Sequence, residues 1–152
     1  MQDTEYTEGL LSFIQASPTP FHAVAAMKEM LDAEGFQQLK ESEAWSTGNP
    51  GRYYVTRNDS SIIVFTLANE LPENGFHMVG AHTDSPCLKV KPNPEVVKKS
   101  YFQLGVEVYG GALLNPWFDR DLSLAGRVSY LNSNDEVRSA LINFEQAIAV
   151  QN

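Results

Sequence analysis

The chain has 152 residues, of which 43% are hydrophobic and 20% are charged, and its formal net charge is −8. This length and composition are typical of a folded domain with a sizeable core rather than of a disordered chain. The acidic balance argues against nucleic-acid binding, which needs clustered Lys and Arg side chains to neutralise phosphates.

Membrane association and secretion are also disfavoured by the sequence. No apolar run approaches the roughly 20 residues of a membrane span, and the acidic N-terminus MQDTEYTEGL lacks the basic flank and apolar core of a signal peptide. The single cysteine, Cys87, cannot form an internal disulfide. We therefore expect a cytoplasmic protein with no membrane partner.

Two helices are predicted at the start of the chain. Apolar residues recur at helical spacing within residues 4–16, and Pro18 ends this helix because the residue before a proline avoids the α region. Thr19 and Pro20 begin the second helix, with threonine as the N-cap and proline in the first turn. Gly35 is suited to the left-handed C-cap that closes it.

Strands follow the helices. β-Branched and aromatic residues predict an antiparallel hairpin of Arg52–Arg57 and Ser61–Ala68, with turn residues at Asn58-Asp59. The short apolar stretch His77–Ala81 predicts a central strand that is covered on both faces. Two helices, a hairpin and a central strand together indicate an α/β layered domain.

The pattern changes beyond Pro86, where short alternating strands are predicted and no helix is. Prolines at 92 and 94 interrupt the segment Leu88–Lys91, and the strands that follow are Leu104–Tyr109, Ala125–Leu131 and Val137–Phe144. We place a boundary near Pro92, with residues 1–92 as the α/β unit and residues 93–152 as a second, all-β unit.

The last residues predict the start of a further strand at Ile148–Val150 that stops without a turn or cap. We interpret the chain as truncated, and a short natural tail is the alternative.

The stretch Met78–Pro86, MVGAHTDSP, carries the strongest indication of chemistry. His82 and Asp84 are two residues apart, so in an extended chain their side chains point to the same side, at the carboxyl end of the predicted strand. A metal-bound histidine usually holds its second ring nitrogen against a carboxylate, and this pair meets that requirement. A histidine and an aspartate that stabilise the turn before Pro86 are the alternative, because a lone H-x-D is a weak signal.

Other residues that could carry chemistry are assigned structural roles. Cys87 is predicted to be a small buried thiol, His22 to pack or cap the second helix, and His77 to point away from His82 across the pleat. The pair Gly110-Gly111 lacks the strand-then-helix context of a phosphate loop. No G-x-S-x-G or H-E-x-x-H motif occurs, which disfavours serine hydrolases and thermolysin-type enzymes.

A carboxylate–guanidinium network is predicted at Asp119, Arg120 and Asp121, buried by Trp117 and Phe118. A second metal or catalytic pair at Asp119 and Asp121 is the alternative, but aspartates that flank an arginine usually form ion pairs.

Four stretches, spread over nearly the whole chain, resemble the N-terminal portion of the M18 metalloaminopeptidases, the aspartyl aminopeptidase family. They are Ser12–Val24 (SFIQASPTPFHAV), Gly51–Ser61 (GRYYVTRNDSS), Met78–Pro94 (MVGAHTDSPCLKVKPNP) and Gln103–Val128 (QLGVEVYGGALLNPWFDRDLSLAGRV).

The resemblance implies a cytoplasmic exopeptidase that removes N-terminal residues, often acidic ones, from peptides. It implies an α/β sandwich interrupted by an inserted β-rich dimerisation domain, assembly into dodecamers, and two metal ions, usually zinc, with other divalent metals possible. His82 matches the first metal-ligand histidine and Asp84 the catalytic aspartate that orients it. The boundary near Pro92 matches the start of the insert.

The resemblance also implies that the remaining metal ligands and the general-base glutamate lie beyond Asn152, so we expect the chain to be inactive alone. One alternative is a non-catalytic fragment that uses the oligomerising surface of the insert. Another is a two-metal hydrolase that acts on a different small amide, such as a carboxypeptidase-like or deacylase-like enzyme.

Overall fold

The computed structural model describes residues 2–48, 50–69, 75–118, 120–144, 146–147 and 149–150. Its elements are α1 (Gln2–Ala16), α2 (Pro20–Ala33), β1 (Gln37–Leu39), β2 (Gly51–Arg57), β3 (Ser61–Leu67), β4 (Cys87–Lys98), β5 (Tyr101–Tyr109), a 3₁₀ turn (Asn115–Trp117), β6 (Asp121–Leu122), β7 (Ala125–Leu131), β8 (Val137–Asn143) and β9 (Ala149–Val150). The predicted α/β class is confirmed. None of the helices in the described part of the chain is long and apolar enough to cross a membrane.

Two compact units make up the fold. The first unit comprises Met1–Thr83 and Leu124–Phe144, and the second comprises Asp84–Ser123 and Glu145–Asn152.

Helix α2 begins and ends at the residues that the sequence predicts. Thr19 has an extended backbone, and its side chain accepts a hydrogen bond from the backbone N–H of His22. At the other end, Gly35 has a φ of +77°. The Gly35 N–H donates to the carbonyl of Asp32 at 3.1 Å, and the Phe36 N–H donates to the carbonyl of Leu31 at 3.0 Å. This is a Schellman C-cap, which glycine favours because it adopts positive φ without strain.

Replacing Thr19 with alanine should lower the free energy of unfolding by about 1 kcal/mol, because the first turn of α2 loses a side-chain acceptor for its backbone N–H groups. Thr4→Ala is the matched control, since Thr4 is exposed in the first turn of α1 and makes the same change of side chain. Urea unfolding of both variants checks the expectation. Equal midpoints for the two variants would contradict a capping role for Thr19.

The first unit also contains a three-stranded sheet, whose strand β3 contacts α2. Strands β2 and β3 form the predicted antiparallel hairpin, and its turn residues Asn58 and Asp59 have φ values of 53° and 50°. Strand β1 pairs with β2 in parallel and was not predicted, because its three residues, QQL, carry no strand pattern. Few side chains are buried among the described residues, and they belong to α2 and β2: Ala23, Val24, Tyr53, Tyr54 and Val55.

Tyr54 is the largest fully buried side chain of this core, with 1% of its surface exposed. Its hydroxyl donates to Asp32 Oδ1 at 2.7 Å, so the phenol ties strand β2 to helix α2. Burial, followed by the hydrogen bond to the nearby Asp32 carboxyl group and its charge, raises the pKa of Tyr54 to about 12.

Alkaline pH should therefore destabilise the first unit through Tyr54. In the unfolded chain this phenol ionises near the ordinary tyrosine pKa of 10.0, whereas the folded state keeps the proton to a pH of about 12. The contribution is complete below pH 10 and is lost as the pH rises through the folded value. Urea unfolding between about pH 9 and about pH 12 should show a decline that is weaker in Tyr54→Phe; identical slopes would contradict this assignment.

The β7–β8 hairpin belongs to the first unit, and Arg127 on β7 contacts two other elements of that unit. Its guanidinium donates to the backbone carbonyl of Asn58 at 2.8 Å and to Asn58 Oδ1 at 3.0 Å. The same group lies 4.1 Å from the ring centroid of Phe21 at the start of α2. One side chain thus joins β7 to the β2–β3 turn and to α2, through hydrogen bonds and a cation–π contact.

The second unit is built on the β4–β5 hairpin, whose tip residues Lys99 and Ser100 have positive φ values. The expectation that Pro92 and Pro94 end the first strand is wrong. Strand β4 continues through both prolines, and its register with β5 shifts between Val90 and Glu95. Proline has no N–H to donate to a ladder, so an irregularity of this kind accommodates it within a strand.

The predicted central strand at His77–Ala81 is also wrong for this structure. The segment has no regular secondary structure, and Met78 and Val79 are 88% and 101% exposed. Within the described residues no strand pairs with it. A strand requires a neighbour that satisfies its backbone N–H and C=O groups, and an apolar run alone does not reveal whether one is present.

The division into units differs from the boundary placed near Pro92. The units divide between Thr83 and Asp84, and strands β7 and β8 pack with the first unit rather than with the β4–β5 hairpin. That an inserted family domain begins at residue 93 stays a prediction. The strands predicted beyond this residue are confirmed as β5, β7 and β8.

Candidate functional site

His82 lies in the irregular segment that precedes the end of the first unit, and its side chain is exposed. The next residue anchors this segment: the Thr83 hydroxyl donates to the backbone carbonyl of Ser60 at 2.8 Å. Ser60 lies between the paired strands β2 and β3. The hydrogen bond from Thr83 therefore attaches the segment that contains His82 to this hairpin.

Asp84 is the first residue of the second unit and is half-buried. Its Oδ2 atom accepts a hydrogen bond from the Tyr109 hydroxyl at 2.6 Å. The hydrogen bond to Asp84 and the charge of that carboxylate raise the pKa of Tyr109, because both disfavour a phenolate at this position. The Asp84 carboxylate therefore accepts a hydrogen bond from a neutral phenol, that of Tyr109, at the end of β5.

Tyr109 is the functional neighbour that the sequence did not reveal. The register of the hairpin places Tyr109 opposite Cys87, three residues beyond Asp84. A continuous strand from Cys87 onward would have indicated this pairing, but the interruption predicted at Pro92 hid the register.

The described residues do not complete a zinc centre. No group of three or more His, Cys, Asp or Glu side chains in the described part of the chain could hold a metal ion. The imidazole of His82 is a donor that zinc accepts, but zinc takes about four ligands. The residues present thus fit one position of such a centre and not the centre as a whole.

His22 takes the capping role that the sequence predicts. It is half-buried, its Nδ1 lies 2.7 Å from Thr19 Oγ1, and burial lowers its pKa. Cys87 is a free thiol but only half-buried, so the prediction of a buried thiol is correct only in part. His77 is exposed and outside any strand.

The predicted network at Asp119 cannot be traced, because Asp119 lies outside the described residues. Arg120 and Asp121 are both exposed, Trp117 is half-buried in the 3₁₀ turn, and Phe118 is 52% exposed. The expectation that both aromatic side chains bury this cluster is therefore wrong for Phe118.

A model of one family matches residues 13–150, and its description is aminopeptidase I zinc metalloprotease (M18). The chain belongs to the M18 family. The match includes His82, Asp84 and Tyr109, and it confirms the resemblance found in the sequence.

Curated relatives agree with this assignment. A protein described as a probable M18 family aminopeptidase 2, from Pseudomonas aeruginosa strain LESB58, is 58% identical over 147 residues, which are 96% of this chain and 34% of the relative. The protein of the same description from Pseudomonas fluorescens strain SBW25 is 60% identical over 144 residues, which are 94% of this chain and 33% of the relative. The chain thus spans about a third of the length of the curated relatives it matches.

Solved structures show the same fold. The mApe1 structure from Chaetomium thermophilum superposes with a TM-score of 0.89 at 35% identity, over 96% of this chain and 34% of that one. The S. cerevisiae mApe1 dodecamer gives 0.87 at 30% identity, over 95% of this chain and 34% of that one. A chain in the complex of Ape4 and Nbr1 gives 0.86 at 43% identity, over 90% of this chain and 27% of that one.

Proposed function

We propose that the chain is the N-terminal part of a zinc aminopeptidase that removes N-terminal residues, acidic ones by preference, from peptides. The observation that carries the proposal is the family match over residues 13–150, which includes the H-x-D pair. In this proposal the His82 imidazole is a metal ligand and the Asp84 carboxylate is its orienting partner. The acidic preference rests on the family resemblance alone.

Several finer features belong to the same proposal. The complete enzyme would hold two zinc ions in an α/β sandwich, carry a β-rich dimerisation domain that begins near Pro92, and work in the cytoplasm as an oligomer. One of the similar solved structures, S. cerevisiae mApe1, is a dodecamer, which supports self-association. The curated relatives are described as aminopeptidases, which supports peptides as substrates.

The chain by itself is proposed to be inactive, because its described residues offer no complete metal site. The test compares it with a chimaera in which residues 1–150 of this chain replace the matching part of the Pseudomonas aeruginosa relative. Both proteins are assayed with zinc on aspartyl and glutamyl p-nitroanilides, with leucyl p-nitroanilide as the control substrate. We expect turnover of the acidic substrates by the chimaera and none by the 152-residue chain.

Three results would each overturn one part of this proposal. Turnover by the 152-residue chain would contradict its inactivity. An inactive chimaera that is folded and retains the oligomeric state of the parent relative would contradict the catalytic competence of these residues. If the chimaera cleaved the leucyl substrate faster than the aspartyl and glutamyl substrates, only the proposed preference for acidic residues would be contradicted.

A second candidate function is a non-catalytic interaction fragment, and the surface of the β4–β5 hairpin favours it. Val97 is 76% exposed, and Tyr101 and Phe102 are each 67% exposed. Apolar side chains grouped at one end of a two-stranded hairpin are typical of a surface that pairs with another copy. Light scattering should then show a dimer or larger species that Phe102→Lys dissociates; a monomer at all concentrations would contradict it.

A further inference from the structure

The Tyr109 hydroxyl, at the open end of the β4–β5 hairpin, contacts the carboxylate of Asp84. Tyr109 is the last residue of β5 and pairs with Cys87, the first residue of β4. Its hydroxyl oxygen lies 2.6 Å from Asp84 Oδ2. An ionised carboxylate has no proton to donate, so the phenol is the donor, and the short distance is typical of a hydrogen bond to a charged acceptor.

The backbone on both sides of this contact is restrained. Gly110, directly after Tyr109, has a φ of +71°, a conformation that favours glycine. A Cβ built on Gly110 would lie 3.5 Å from Pro86 Cα, so the turn after β5 runs close beside the segment that follows Asp84. The phenol and the carboxylate therefore belong to two neighbouring backbone segments rather than to two free chain ends.

The Lys89 side chain makes a cation–π contact with the Tyr109 ring. The Lys89 ammonium lies 5.6 Å from the ring centroid of Tyr109, on the face of the hairpin that Tyr109 and Cys87 share. This cation–π contact packs the ammonium on the ring of Tyr109, so the ring has a neighbour on the hairpin besides the carboxylate.

A carboxylate that orients a histidine needs one rotamer and spare acceptor capacity. The two oxygens of an aspartate provide about four lone-pair sites, and the hydrogen bond from Tyr109 uses one of them on Oδ2. A single phenol donor occupies one such site at most, so its hydrogen bond is compatible with a further partner on the same carboxylate.

We propose that Tyr109 is a positioning residue for Asp84, holding the aspartate in a single side-chain rotamer through its hydrogen bond to Oδ2. The catalytic meaning of that rotamer rests on the proposed function of Asp84. In this proposal Tyr109 acts only through the carboxylate of Asp84. A tyrosine that merely stabilises the hairpin is the competing explanation.

The test uses the 152-residue chain and the change Tyr109→Phe, which keeps the ring and removes the hydroxyl. Three-bond NMR couplings from Asp84 Cγ to its backbone nitrogen and carbonyl carbon report the χ1 rotamer of Asp84. We expect the couplings of a single staggered rotamer in the unchanged chain and averaged couplings in Tyr109→Phe. Tyr101→Phe is the matched control, because Tyr101 is on the same strand and is 67% exposed.

Three outcomes would overturn the proposal. They are a single Asp84 rotamer retained in Tyr109→Phe, an equal change in Tyr101→Phe, and averaging accompanied by loss of the cross-strand contacts between β4 and β5. In the last case the tyrosine holds the hairpin rather than the carboxylate. None of these measurements involves zinc or turnover, so an inactive chimaera would leave the result for Tyr109 intact, and a negative result here would leave the proposed function intact.

Discussion

Replacing His82 with alanine is expected to lower kcat/KM of the chimaera by at least about 10³-fold. In the proposed function this imidazole would be a ligand of a metal ion that supplies several kcal/mol of transition-state stabilisation, and each ~1.4 kcal/mol corresponds to about tenfold in rate. The side chain is exposed, so its removal leaves no cavity in the small core. The loss should therefore appear in activity rather than in stability.

His77→Ala is the control for this experiment. His77 is exposed, lies five residues earlier in the same irregular segment, and makes the same change of side chain. We expect unchanged activity in this variant, and Asp84→Asn should fall between the two with a loss of about 10–100-fold, which is typical of a residue that orients a metal ligand. Equal activities for His82→Ala and His77→Ala would contradict the assignment of the ligand.

Replacing Tyr54 with alanine should lower the free energy of unfolding by about 3–5 kcal/mol, because it empties the largest buried position of the first unit. The described core contains few other buried side chains that could close the cavity, so a loss of this size is a large part of the usual stability of a domain. Thermal and urea unfolding of the 152-residue chain measure it.

Two further variants separate the causes of the Tyr54 effect. Tyr54→Phe keeps the ring and removes only the hydrogen bond to Asp32, so we expect a loss of about 1 kcal/mol. Tyr6→Ala makes the same truncation at a side chain that is 78% exposed on α1, and it should change stability by less than about 0.5 kcal/mol. A Tyr54→Ala loss no larger than that of Tyr6→Ala would show that the core is not where the structure places it.

Local sequence signals predicted much of the fold. The Thr19-Pro20 start, the Gly35 cap and the Asn58-Asp59 turn each require a particular backbone conformation, and each is found where the sequence predicts it. The strands β5, β7 and β8 alternate clearly and were also predicted. These features depend on residues close together in the chain, so a single sequence reveals them.

Features that depend on distant partners were not predictable in the same way. The segment at Met78 and Val79 has the composition of a buried strand and yet is exposed, because burial depends on neighbours that an apolar run does not specify. The continuity of β4 through Pro92 depends on an irregularity in its pairing with β5. The packing of β7 and β8 with the first unit depends on Arg127, whose partners Asn58 and Phe21 are at least 69 residues away in sequence.

The candidate site shows the same distinction. Spacing alone left two alternatives for His82 and Asp84, a metal ligand with its orienting partner or a pair that stabilises a turn, and the family match covers both residues. The donor to Asp84 came from the far strand of a hairpin and was visible only in the structure. No cluster of three or more ligand-type side chains occurs among the described residues.

The zinc content of dialysed protein tests most directly whether His82 is one ligand of a centre that this chain does not complete. Elemental mass spectrometry would measure the zinc bound per protein molecule in four samples. These are the 152-residue chain, the chimaera, and the chimaera with His82→Ala or His77→Ala. We predict zinc retained by the chimaera and by its His77 variant, less zinc in the His82 variant, and none in the 152-residue chain. Zinc bound stoichiometrically by the 152-residue chain, or equal zinc in the two histidine variants, would contradict that assignment.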